Sequence, residues 1–393
     1  FGAGFVGVCT AICLKQEGFH VILVDKTGVG AGASFGNAGI IQSEAVAPFA
    51  MPRDIGMFVR VLFGQDTRVR LRFPSVLRSV GALGSYYHAS GPSRYGVITS
   101  IYAELIKCAK SDHIALAEKA GARSLLLEEG YRILFYSQKD LDEAMLGFRS
   151  LAKAYDLPLK SLTSTELKKA EPELSDVGVG AVEWPDPLRI EDPMQLLSAY
   201  FDYYRSLGGE FKTGDADSMS WGNHGWRFVA DGLAHEVEHV VGATGAGTAQ
   251  VARKLGCRVP IIAKRGYSAV LKGARQLNKP LYDINSGVVF VRQGDFLRVL
   301  TGAELGGAVE DVNSPQLVRA IKLAGDLLGA EAAPISTWSG VRPCMPDMLP
   351  VIGPATHHNG LWFNFGHGHQ GLTLAPTSGR MLAKAISDGA SLP

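Results

Sequence analysis

Three glycines at the start of the chain have the spacing of a site that binds a dinucleotide. Gly2, Gly4 and Gly7 form the pattern Gly-x-Gly-x-x-Gly. In such a site the first glycine permits a tight turn, the second lets the backbone approach a pyrophosphate, and the third lets a helix pack closely on a strand. Asp25 closes the next apolar run and would accept hydrogen bonds from ribose hydroxyls. The spacing therefore predicts a nucleotide site.

The segments between these residues have the patterns that such a site needs. Val8 to Leu14 is apolar with helical spacing, Gly18 would end that helix, and Val21 to Val24 is a short run typical of a strand. The pyrophosphate would lie at the helix N-terminus, where free N–H groups and the helix dipole favour an anion. Only Phe1 precedes Gly2, so we expect the first strand of the unit to be truncated in this sequence.

Four further segments carry small residues, prolines and charged residues in a distinctive order. Residues 28–41, GVGAGASFGNAGII, have mostly small side chains that would let the backbone lie against a flat ligand. Residues 180–208 contain the Asp192-Pro193 pair, which would cap and open a helix. Residues 237–247 end in a Gly-Ala-Gly turn, and residues 338–373 contain Gly-Val-Arg-Pro and a late Gly-His-Gly loop.

Together these segments resemble the D-amino-acid oxidase-like family of flavoproteins, especially bacterial D-amino-acid dehydrogenases and D-hydroxyproline dehydrogenases. Residues 34–39, SFGNAG, match the family's Ser-x-x-Asn-Ala-Gly stretch, and residues 338–373 match its C-terminal signature. The resemblance reaches about residue 385 and is loose over 45–180. It implies an α/β fold, with a Rossmann-like FAD-binding domain and an interleaved α+β substrate domain built on an antiparallel sheet.

The motifs are scattered along the chain, so the FAD-binding domain must be assembled from separate segments. The segments that we assign to it are 1–48, 188–260 and 336–393. Those that we assign to the substrate domain are 49–187 and 261–335. Its strand patterns run from Gly287 to Arg292 and from Phe296 to Thr301, and its helical spacing covers 99–120 and 139–155.

The resemblance also implies a noncovalent FAD and the residues that hold it. Backbone N–H groups of the final loop, with a helix N-terminus behind them, would lie near the flavin N1–C2 carbonyl and stabilise the anionic reduced flavin. Cys344 does not match the position at which some relatives attach flavin covalently. The expected cofactor-binding residues are Gly2, Gly4, Phe5, Val6, Gly7, Asp25, Lys26, Ser34, Asn37, Ala38, Gly39, Gly245, Gly340, Arg342, Gly368, His369, Gln370, Gly371, Leu372 and Thr373.

The implied reaction is hydride transfer from the substrate Cα to flavin N5 and hydrolysis of the resulting imine, with no essential side-chain acid or base. Arg342 would hold the substrate carboxylate bidentately, and the alternative is a structural salt bridge with Asp347. The hydroxyl of Tyr267 would bind the same carboxylate, unless Tyr267 is a core aromatic residue. The residues that would cap the pocket, or alternatively face solvent, are Tyr86, Tyr87 and His88.

The resemblance favours a small amino acid as substrate, in particular a D-amino acid, with electrons passed to a respiratory-chain acceptor such as a membrane quinone. Two alternatives stay open: an oxidase or dehydrogenase of a secondary amine such as hydroxyproline, sarcosine or glycine, and a noncatalytic flavoprotein subunit. The apolar stretch from Ile55 to Phe63, flanked by arginines, would either reach the membrane interface or form a helix of the substrate domain.

Composition and charge exclude other classes of protein. Lys and Arg number 39 against 38 Asp and Glu, so no net field attracts nucleic acid. Charged residues make up 20% and hydrophobic residues 46%, which is typical of a soluble globular protein, and no apolar run is long enough to span a membrane. We therefore expect a cytoplasmic protein that contacts at most the inner face of the membrane, and an oligomer is compatible with the sequence.

Metal chemistry is not expected. The segment from His235 to His239 matches the zinc-protease pattern His-Glu-x-x-His, but that site requires a helix, and here the segment runs into Val240-Val241 as a strand would. In a strand the two histidines would lie about 13 Å apart. The pairs His357-His358 and His367/His369 have no accompanying set of carboxylates or cysteines, and the five cysteines fit no zinc spacing.

Overall fold

The computed structural model describes residues 1–54, 56, 68–71, 79–222, 225–305 and 314–389 as a mixed α/β protein. Its helices there are α1 (Phe5–Gln16), α2 (Val80–Ala89), α3 (Pro92–Lys119), α4 (Gln138–Tyr155), α5 (Ser164–Ala170), α6 (Pro193–Ser206), α7 (Thr248–Lys254), α8 (Pro315–Leu328) and α9 (Ala375–Asp388). Its first strands are β1 (Ile22–Asp25), β2 (Ile40–Ile41), β3 (Val69–Leu71), β4 (Leu126–Leu127), β5 (Tyr131–Phe135), β6 (Lys160–Thr163), β7 (Gly180–Trp184), β8 (Leu188–Ile190), β9 (Glu210–Thr213), β10 (Ser220–Trp221) and β11 (Trp226–Ala230). Its later strands are β12 (Leu233–Val237), β13 (Val240–Gly242), β14 (Ile262–Leu271), β15 (Leu281–Asp283), β16 (Val288–Gln293), β17 (Phe296–Leu300), β18 (Ala303–Leu305), β19 (Ser336–Cys344), β20 (Val351–Pro354) and β21 (Leu361–Phe365).

The glycine-rich N-terminus joins two sheets. The N–H of Gly2 donates to the carbonyl of Val24 in β1 (2.8 Å), and the N–H of Ala243, just after β13, donates to the carbonyl of Phe1 (2.8 Å). The nitrogen of Phe1 donates to the carbonyl of Val241 (2.7 Å). Residues 1–2 thereby connect the parallel pair β1–β9 to the sheet β13–β21–β20, in which β13 and β21 are parallel. Parallel strands covered by helices are the arrangement expected of an α/β nucleotide domain.

Helix α1 packs beneath the glycine turn and is buried on most sides. Its apolar residues, such as Val8 and Ile12, lie in a core that also contains residues of α3 and α6. Helix α9 crosses α1 closely, because a Cβ at Gly379 would already lie 3.0 Å from the backbone of Cys9. A helix that is apolar all round is stable only when it is enclosed in this way.

The largest sheet of the described residues has ten strands and is mostly antiparallel. Its order is β3-β18-β14-β17-β16-β15-β5-β7-β6, and β19 pairs with the other edge of β14. Only the pairs β3–β18 and β5–β15 are parallel. Helix α8 packs on this sheet through the core that contains Leu317, Ala320 and Ala324. The predicted fold, a mixed α/β chain that combines parallel strands with an antiparallel sheet, is confirmed.

Several local predictions are also confirmed. The carboxylate of Asp192 accepts hydrogen bonds from the N–H groups of Met194 (2.8 Å) and Gln195 (3.1 Å), and Pro193 is the first residue of α6. The helical spacing at 99–120 and 139–155 belongs to α3 and α4, and the two predicted strands correspond to β16 and β17.

The predicted domain boundary at residue 336 coincides with the start of strand β19. Strand β19, Ser336–Cys344, pairs with β14 of the large sheet along its whole length. The pairing partner of β19 lies about seventy residues earlier, so the sequence carries no local signal for this pairing. The domain boundaries stay predictions.

No helix of the described residues is long and apolar enough to cross a membrane. The apolar stretch from Ile55 to Phe63 lies, except for Gly56, outside the described residues, as does Arg72 of its flanks.

Candidate active site

A cavity of about 1510 Å³ opens between the glycine turn and the large sheet. This volume exceeds the range of about 300–1,000 Å³ that is usual for a drug-sized ligand, so it suits a dinucleotide together with a substrate. The predicted residues that line it are Gly2, Gly4, Phe5, Val6, Asp25, Lys26, Ser34, Asn37, Ala38, Gly245, Gly340, Arg342, Gly368, His369, Gly371 and Leu372. The predicted residues that do not line the cavity are Gly7, Gly39, Tyr267, Gln370 and Thr373.

The glycine turn has the geometry of a pyrophosphate cradle. Gly2 has a positive φ of 101°, and a Cβ there would lie 2.3 Å from the carbonyl oxygen of Ala243. A Cβ at Gly7 would lie 1.7 Å from the carbonyl oxygen of Gly2, which explains why Gly7 packs behind the wall rather than on it. A Cβ at Gly4 would lie 2.9 Å from Oγ of Ser34. The backbone at the N-terminus of α1 is thus left accessible to an anionic ligand.

Asp25 holds this turn in addition to facing the cavity. Its carboxylate accepts hydrogen bonds from the N–H groups of Ala3 (2.8 Å), Thr27 (2.8 Å) and Gly28 (3.1 Å). Oγ1 of Thr27 also donates to Oδ1 (3.0 Å), so Oδ1 accepts three hydrogen bonds and Oδ2 only one. An oxygen of a carboxylate has two lone pairs, so Oδ2 keeps one acceptor position for a ribose hydroxyl. Lys26, beside it, forms an exposed ion pair with Asp215 at 3.8 Å.

Residues 34–39 extend the wall from the glycine turn towards the large sheet. Oγ of Ser34 accepts a hydrogen bond from the N–H of Phe5 (3.1 Å), which ties the segment to the first turn of α1. Oδ1 of Asn37 accepts one from the N–H of Gly39 (2.8 Å). Gly39 has a positive φ of 70°, and a Cβ there would lie 2.9 Å from the ring of Pro193, so its role is close packing against α6.

The loop between β21 and α9 forms another part of the wall. His367, Gly368, His369, Gly371 and Leu372 line the cavity there. Burial lowers the pKa of His367 to about 4. Burial, together with the charges of Arg342 and Lys264, lowers the pKa of His369 to about 3. Both imidazoles are therefore neutral at physiological pH, so any stabilisation of an anion by this loop comes from its backbone N–H groups.

Gln370 and Thr373 anchor this loop from behind the wall. The side-chain amide of Gln370 donates to the side-chain oxygen of Gln42 (2.7 Å), and Oγ1 of Thr373 accepts from the backbone N–H of Gln42 (3.3 Å). Both residues are 1% exposed. Their placement makes them positioning residues of the loop.

Two cations face the cavity from neighbouring strands. Arg342 of β19 lies directly opposite Lys264 of β14 in the antiparallel register. The Arg342 guanidinium donates only long hydrogen bonds to the carbonyls of Gly302 (3.3 Å) and Thr301 (3.4 Å), and burial lowers its pKa. The ammonium of Lys264 lies 3.3 Å from the hydroxyl of Tyr86 and 4.6 Å from the centre of its ring.

This pair of cations is the arrangement of an anion site. Among the described residues neither Arg342 nor Lys264 forms an ion pair with a carboxylate. The predicted alternative, a salt bridge from Arg342 to Asp347, is absent there, and the Asp347 carboxylate instead accepts from the N–H of Leu349 (3.2 Å). Like charges on directly opposed strand positions destabilise a sheet, so a bound anion is the partner that this geometry lacks. Gly266 gives the room, because a Cβ there would lie 2.5 Å from the guanidinium.

The structure does not place Tyr267 in the site. Tyr267 is 1% exposed, and its hydroxyl donates to the carboxylate of Glu304 (3.1 Å) on the other face of the large sheet. Side chains alternate between the faces of a strand. Lys264 lines the cavity, and a Cβ at Gly266 would point to the Arg342 guanidinium on the same face, whereas Arg265 and Tyr267 face away. Tyr267 is therefore the core aromatic residue of the alternative interpretation.

Of the three residues expected to cap the pocket, Tyr86 and Tyr87 line the cavity and His88 does not. Tyr86 is buried and donates its hydroxyl to the carbonyl of Phe49, whereas Tyr87 is exposed and stacks under the guanidinium of Arg53 at 4.2 Å.

Three residues of the wall were missed by the sequence analysis. Lys264 lies three positions before the predicted residue Tyr267 and therefore on the opposite face of the strand, and strand alternation was the signal that would have found it. Glu44 is a single acid within an apolar segment, and it is 5% exposed. Trp338 fills the space between Gly36 and Gly340, at either of which a Cβ would lie 2.0 Å from the indole, so Gly340 serves to accommodate Trp338.

The rival motifs stand apart from this chemistry. The segment that contains His235 forms strand β12, as predicted, and not the helix that a zinc protease requires. The described residues hold no group of three or more metal-ligating side chains. Burial raises the pKa of the Cys344 thiol, which lines the cavity and is therefore protonated at neutral pH.

Comparisons with known proteins agree with this geometry. The chain matches the family described as FAD dependent oxidoreductase (DAO) over residues 1–385. It is 28% identical to a D-amino acid dehydrogenase of Sinorhizobium medicae, over 98% of this chain and 95% of that protein. It is 29% identical to a D-amino-acid oxidase of Bradyrhizobium diazoefficiens, over 98% and 94% respectively. The solved structure of glycine oxidase from Geobacillus kaustophilus has a similar fold, with a TM-score of 0.75, 20% identity and coverage of 100% of this chain and 94% of that one.

Proposed function

The chain belongs to the FAD dependent oxidoreductase (DAO) family and is an FAD-dependent enzyme, and from this premise we propose that it oxidatively deaminates a small D-amino acid. The carrying observation is the pair of cations, Arg342 and Lys264, in the wall of the cavity that the glycine turn also lines. A planar guanidinium matches a carboxylate bidentately, and an ammonium beside it adds a second charge-assisted hydrogen bond. An amino acid supplies the carboxylate.

FAD fits the residues present, because the glycines leave room for its pyrophosphate and Asp25 keeps acceptor capacity for a ribose. When bound, it supplies the two-electron sink for oxidation of the substrate Cα. The chain's own residues bind and orient: Arg342 and Lys264 fix the carboxylate end, and the loop around Gly368 positions its N–H groups. The buried side chain of Tyr86 excludes water from one side of the pocket. Fixing one end of a small substrate against a rigid wall is how such a site lowers the barrier.

The D configuration and the electron acceptor are also proposals. Relatives at 28% and 29% identity are a D-amino acid dehydrogenase and a D-amino-acid oxidase, which favours a D-amino acid. We propose a respiratory-chain quinone as acceptor, which would bring this protein to the inner face of the cytoplasmic membrane. Reduction of a soluble quinone analogue by the substrate-loaded enzyme, compared with reduction of oxygen, tests this part.

The experiment that tests the function is an anaerobic titration of the FAD-loaded protein with D-, L- and cyclic amino acids, followed by absorbance. Bleaching of the flavin band by D-amino acids, with a keto acid and ammonia formed in equal amounts, is the expected result. Bleaching by cyclic or N-methyl amino acids alone would replace the proposal by a secondary-amine oxidoreductase. A yellow protein that no amine bleaches would refute it and favour a noncatalytic flavoprotein subunit.

A further inference from the structure

Glu44 is a buried carboxyl group whose hydrogen bonding is incomplete. Its Oε1 accepts from the hydroxyl of Tyr131 (2.9 Å) and from the side-chain amide of Gln42 (2.9 Å). Its Oε2 is buried and has no hydrogen-bond partner among the described residues. Glu44 is one of the residues that line the large cavity. Buried polar atoms in native proteins are normally paired, so the open position indicates a ligand that donates a hydrogen bond.

Contacts around the cavity wall connect Glu44 to the cation pair. They pass through Gln42, Gln370, His369, Phe49, Tyr86 and Lys264. In this series the Gln42 side chain accepts a hydrogen bond from Gln370. The neighbouring His369 ring contacts the Phe49 ring at a tilted angle, with ring centres 4.8 Å apart. Glu44 and the cation pair thus belong to one continuous wall, and the loop between β21 and α9 connects them.

The groups around Glu44 favour a proton-exchanging carboxyl. Burial raises the pKa of Glu44 to about 7, opposed by hydrogen bonds from its own backbone N–H, Tyr131 and Gln42 and reinforced by the charge of Asp186. Asp186 is itself paired with Lys110 at 2.6 Å, which weakens its effect. The other ionisable group that faces Glu44 is Tyr102, whose pKa is raised to beyond its usual range by burial, so it is neutral.

We propose that Glu44 binds the amino group of the substrate through Oε2 and takes a proton from its ammonium before Cα is oxidised, an inference that rests on the proposed function. The N–H bond breaks and leaves its electron pair on nitrogen, and the proton moves to Oε2. The nitrogen pair can then form the C=N bond while the two electrons of the Cα–H bond go to the bound FAD. Glu44 returns its proton to solvent when the product leaves.

The arrangement complements an amino-acid zwitterion. Arg342 and Lys264 offer two positive charges to the carboxylate, and Glu44 offers one negative charge to the ammonium. Because an ammonium has no free electron pair, a carboxylate that removes its proton is chemically useful in this position. A 2-hydroxy acid has the carboxylate and a neutral hydroxyl, which can donate a hydrogen bond to Glu44 but has no positive charge to pair with it, so it would gain less from the charge of Glu44.

The first test measures binding without turnover. The probes are 2-aminoisobutyrate, which has no Cα–H bond to oxidise, and 2-hydroxyisobutyrate, which lacks the amine. Glu44→Gln preserves an acceptor for Tyr131 and removes the charge, so we expect its Kd for 2-aminoisobutyrate to rise about tenfold or more. Its Kd for 2-hydroxyisobutyrate should stay within twofold of wild type. Equal changes for both probes would overturn the proposal, and Glu236→Gln, an exposed site on β12, is the matched control.

The second test is the pH profile of flavin reduction by the amino acid that bleaches the wild type. Glu44 must be ionised to accept a proton, so kcat/KM of the wild type should rise with pH and level off above about 7. Glu44→Gln should lower kcat/KM about 100-fold and lose this limb, and Glu44→Asp should restore part of the rate together with a shifted limb.

An unchanged limb in Glu44→Gln would overturn the role of Glu44 while the proposed function stands, because the wild type still bleaches. Absence of bleaching in the wild type would instead refute the proposed function, and the proton-accepting role of Glu44 with it.

Discussion

Replacing Lys264 by methionine should weaken the substrate complex and, at the same time, stabilise the substrate-free protein. Methionine keeps most of the apolar stem and removes the charge. In the free protein Lys264 lies opposite Arg342 on the neighbouring strand, and no carboxylate of the described residues compensates the pair. With substrate bound, the same two charges hold one carboxylate. The variant therefore separates the repulsion between the two cations in the free protein from their attraction to the substrate carboxylate.

The magnitudes follow from the contacts. Two unit charges about 8 Å apart at an effective dielectric constant of about 20 repel each other by about 2 kcal/mol. Loss of the cation–π contact with Tyr86 offsets about 1 kcal/mol of the relief. The net gain of about 1 kcal/mol would raise the Tm of the substrate-free protein by about 1–2 °C in a chain of this length. One charge-assisted hydrogen bond to the carboxylate is worth about 2 kcal/mol, so kcat/KM should fall roughly 30-fold.

The assay combines thermal melts of the FAD-loaded, substrate-free protein with anaerobic stopped-flow reduction of the flavin. Arg342→Met removes a bidentate contact worth about 4 kcal/mol and should lower kcat/KM roughly 1,000-fold. The double variant should lose less than the product of the two effects, because both residues hold the same carboxylate. Lys272→Met, an exposed residue just beyond β14, controls for loss of a lysine charge.

Two results would refute this reasoning. Unchanged kcat/KM in Lys264→Met, at normal FAD content, would show that Lys264 does not contact the substrate. A Tm lowered by more than about 3 °C would show that Lys264 has a stabilising partner and that the pair is not an uncompensated anion site.

Three further variants test the predicted nucleotide end of the cavity and the buried residue His113. Gly7→Ala places a Cβ 1.7 Å from the carbonyl oxygen of Gly2, so we expect a loss of about 3 kcal/mol in stability and little bound flavin. The control Gly147→Ala on α4, where nothing lies within 4 Å of the new Cβ, should keep both its stability and its flavin. Normal flavin absorbance in Gly7→Ala would contradict this prediction. Asp25→Asn turns an acceptor into a donor against backbone N–H groups and should raise the Kd for FAD about tenfold by fluorescence titration, and a change below twofold would contradict it. Burial lowers the pKa of His113 from 6.5 to about 4, so the unfolded chain binds more protons than the folded protein between these pH values. The free energy of unfolding should therefore fall as pH drops through this window. His113→Gln should reduce this pH-dependent loss by about 3 kcal/mol, and an unchanged curve of unfolding free energy against pH would count against the prediction.

The nucleotide end was predictable from the sequence because its signals are local. The glycine spacing, the apolar run of α1 and the acid that ends β1 lie within 25 consecutive residues. Each feature has a physical cause that needs no distant partner: tight turns need glycine, and a strand that ends at a nucleotide needs an acceptor. The cap at Asp192 was predictable for the same reason.

The prediction for the substrate end depended on which side chains of β14 face the cavity, and the sequence alone did not determine this. Tyr267 is predicted to bind the substrate carboxylate, but it lies on the face of β14 that points away from the cavity. A shift of one residue moves every side chain of a strand to the other face, so Tyr267 entered the core and Lys264 entered the cavity. The phase is fixed by the pairing of β14 with β19, and that pairing joins residues about seventy positions apart.

Glu44 illustrates a different limit of sequence reasoning. A lone acid in an apolar stretch is usually solvated, and only the hydrogen bonds from Tyr131 and Gln42, which come from a distant strand and a short loop, show that it is buried on the cavity wall. Trp338 is similar, because two separated glycines make its space. Such groups are defined by tertiary packing.

The proposed anchors also account for stereochemical selection. A chiral centre is distinguished only when three of its substituents meet different partners. In the proposed complex the carboxylate would meet Arg342 and Lys264 on the large sheet, and the amino group would meet Glu44 on the segment after β2. With both anchors kept, exchanging the side chain and the hydrogen at Cα would turn that hydrogen away from the flavin. Loss of Glu44 removes one of the three contacts, so discrimination between D- and L-amino acids should weaken along with the rate.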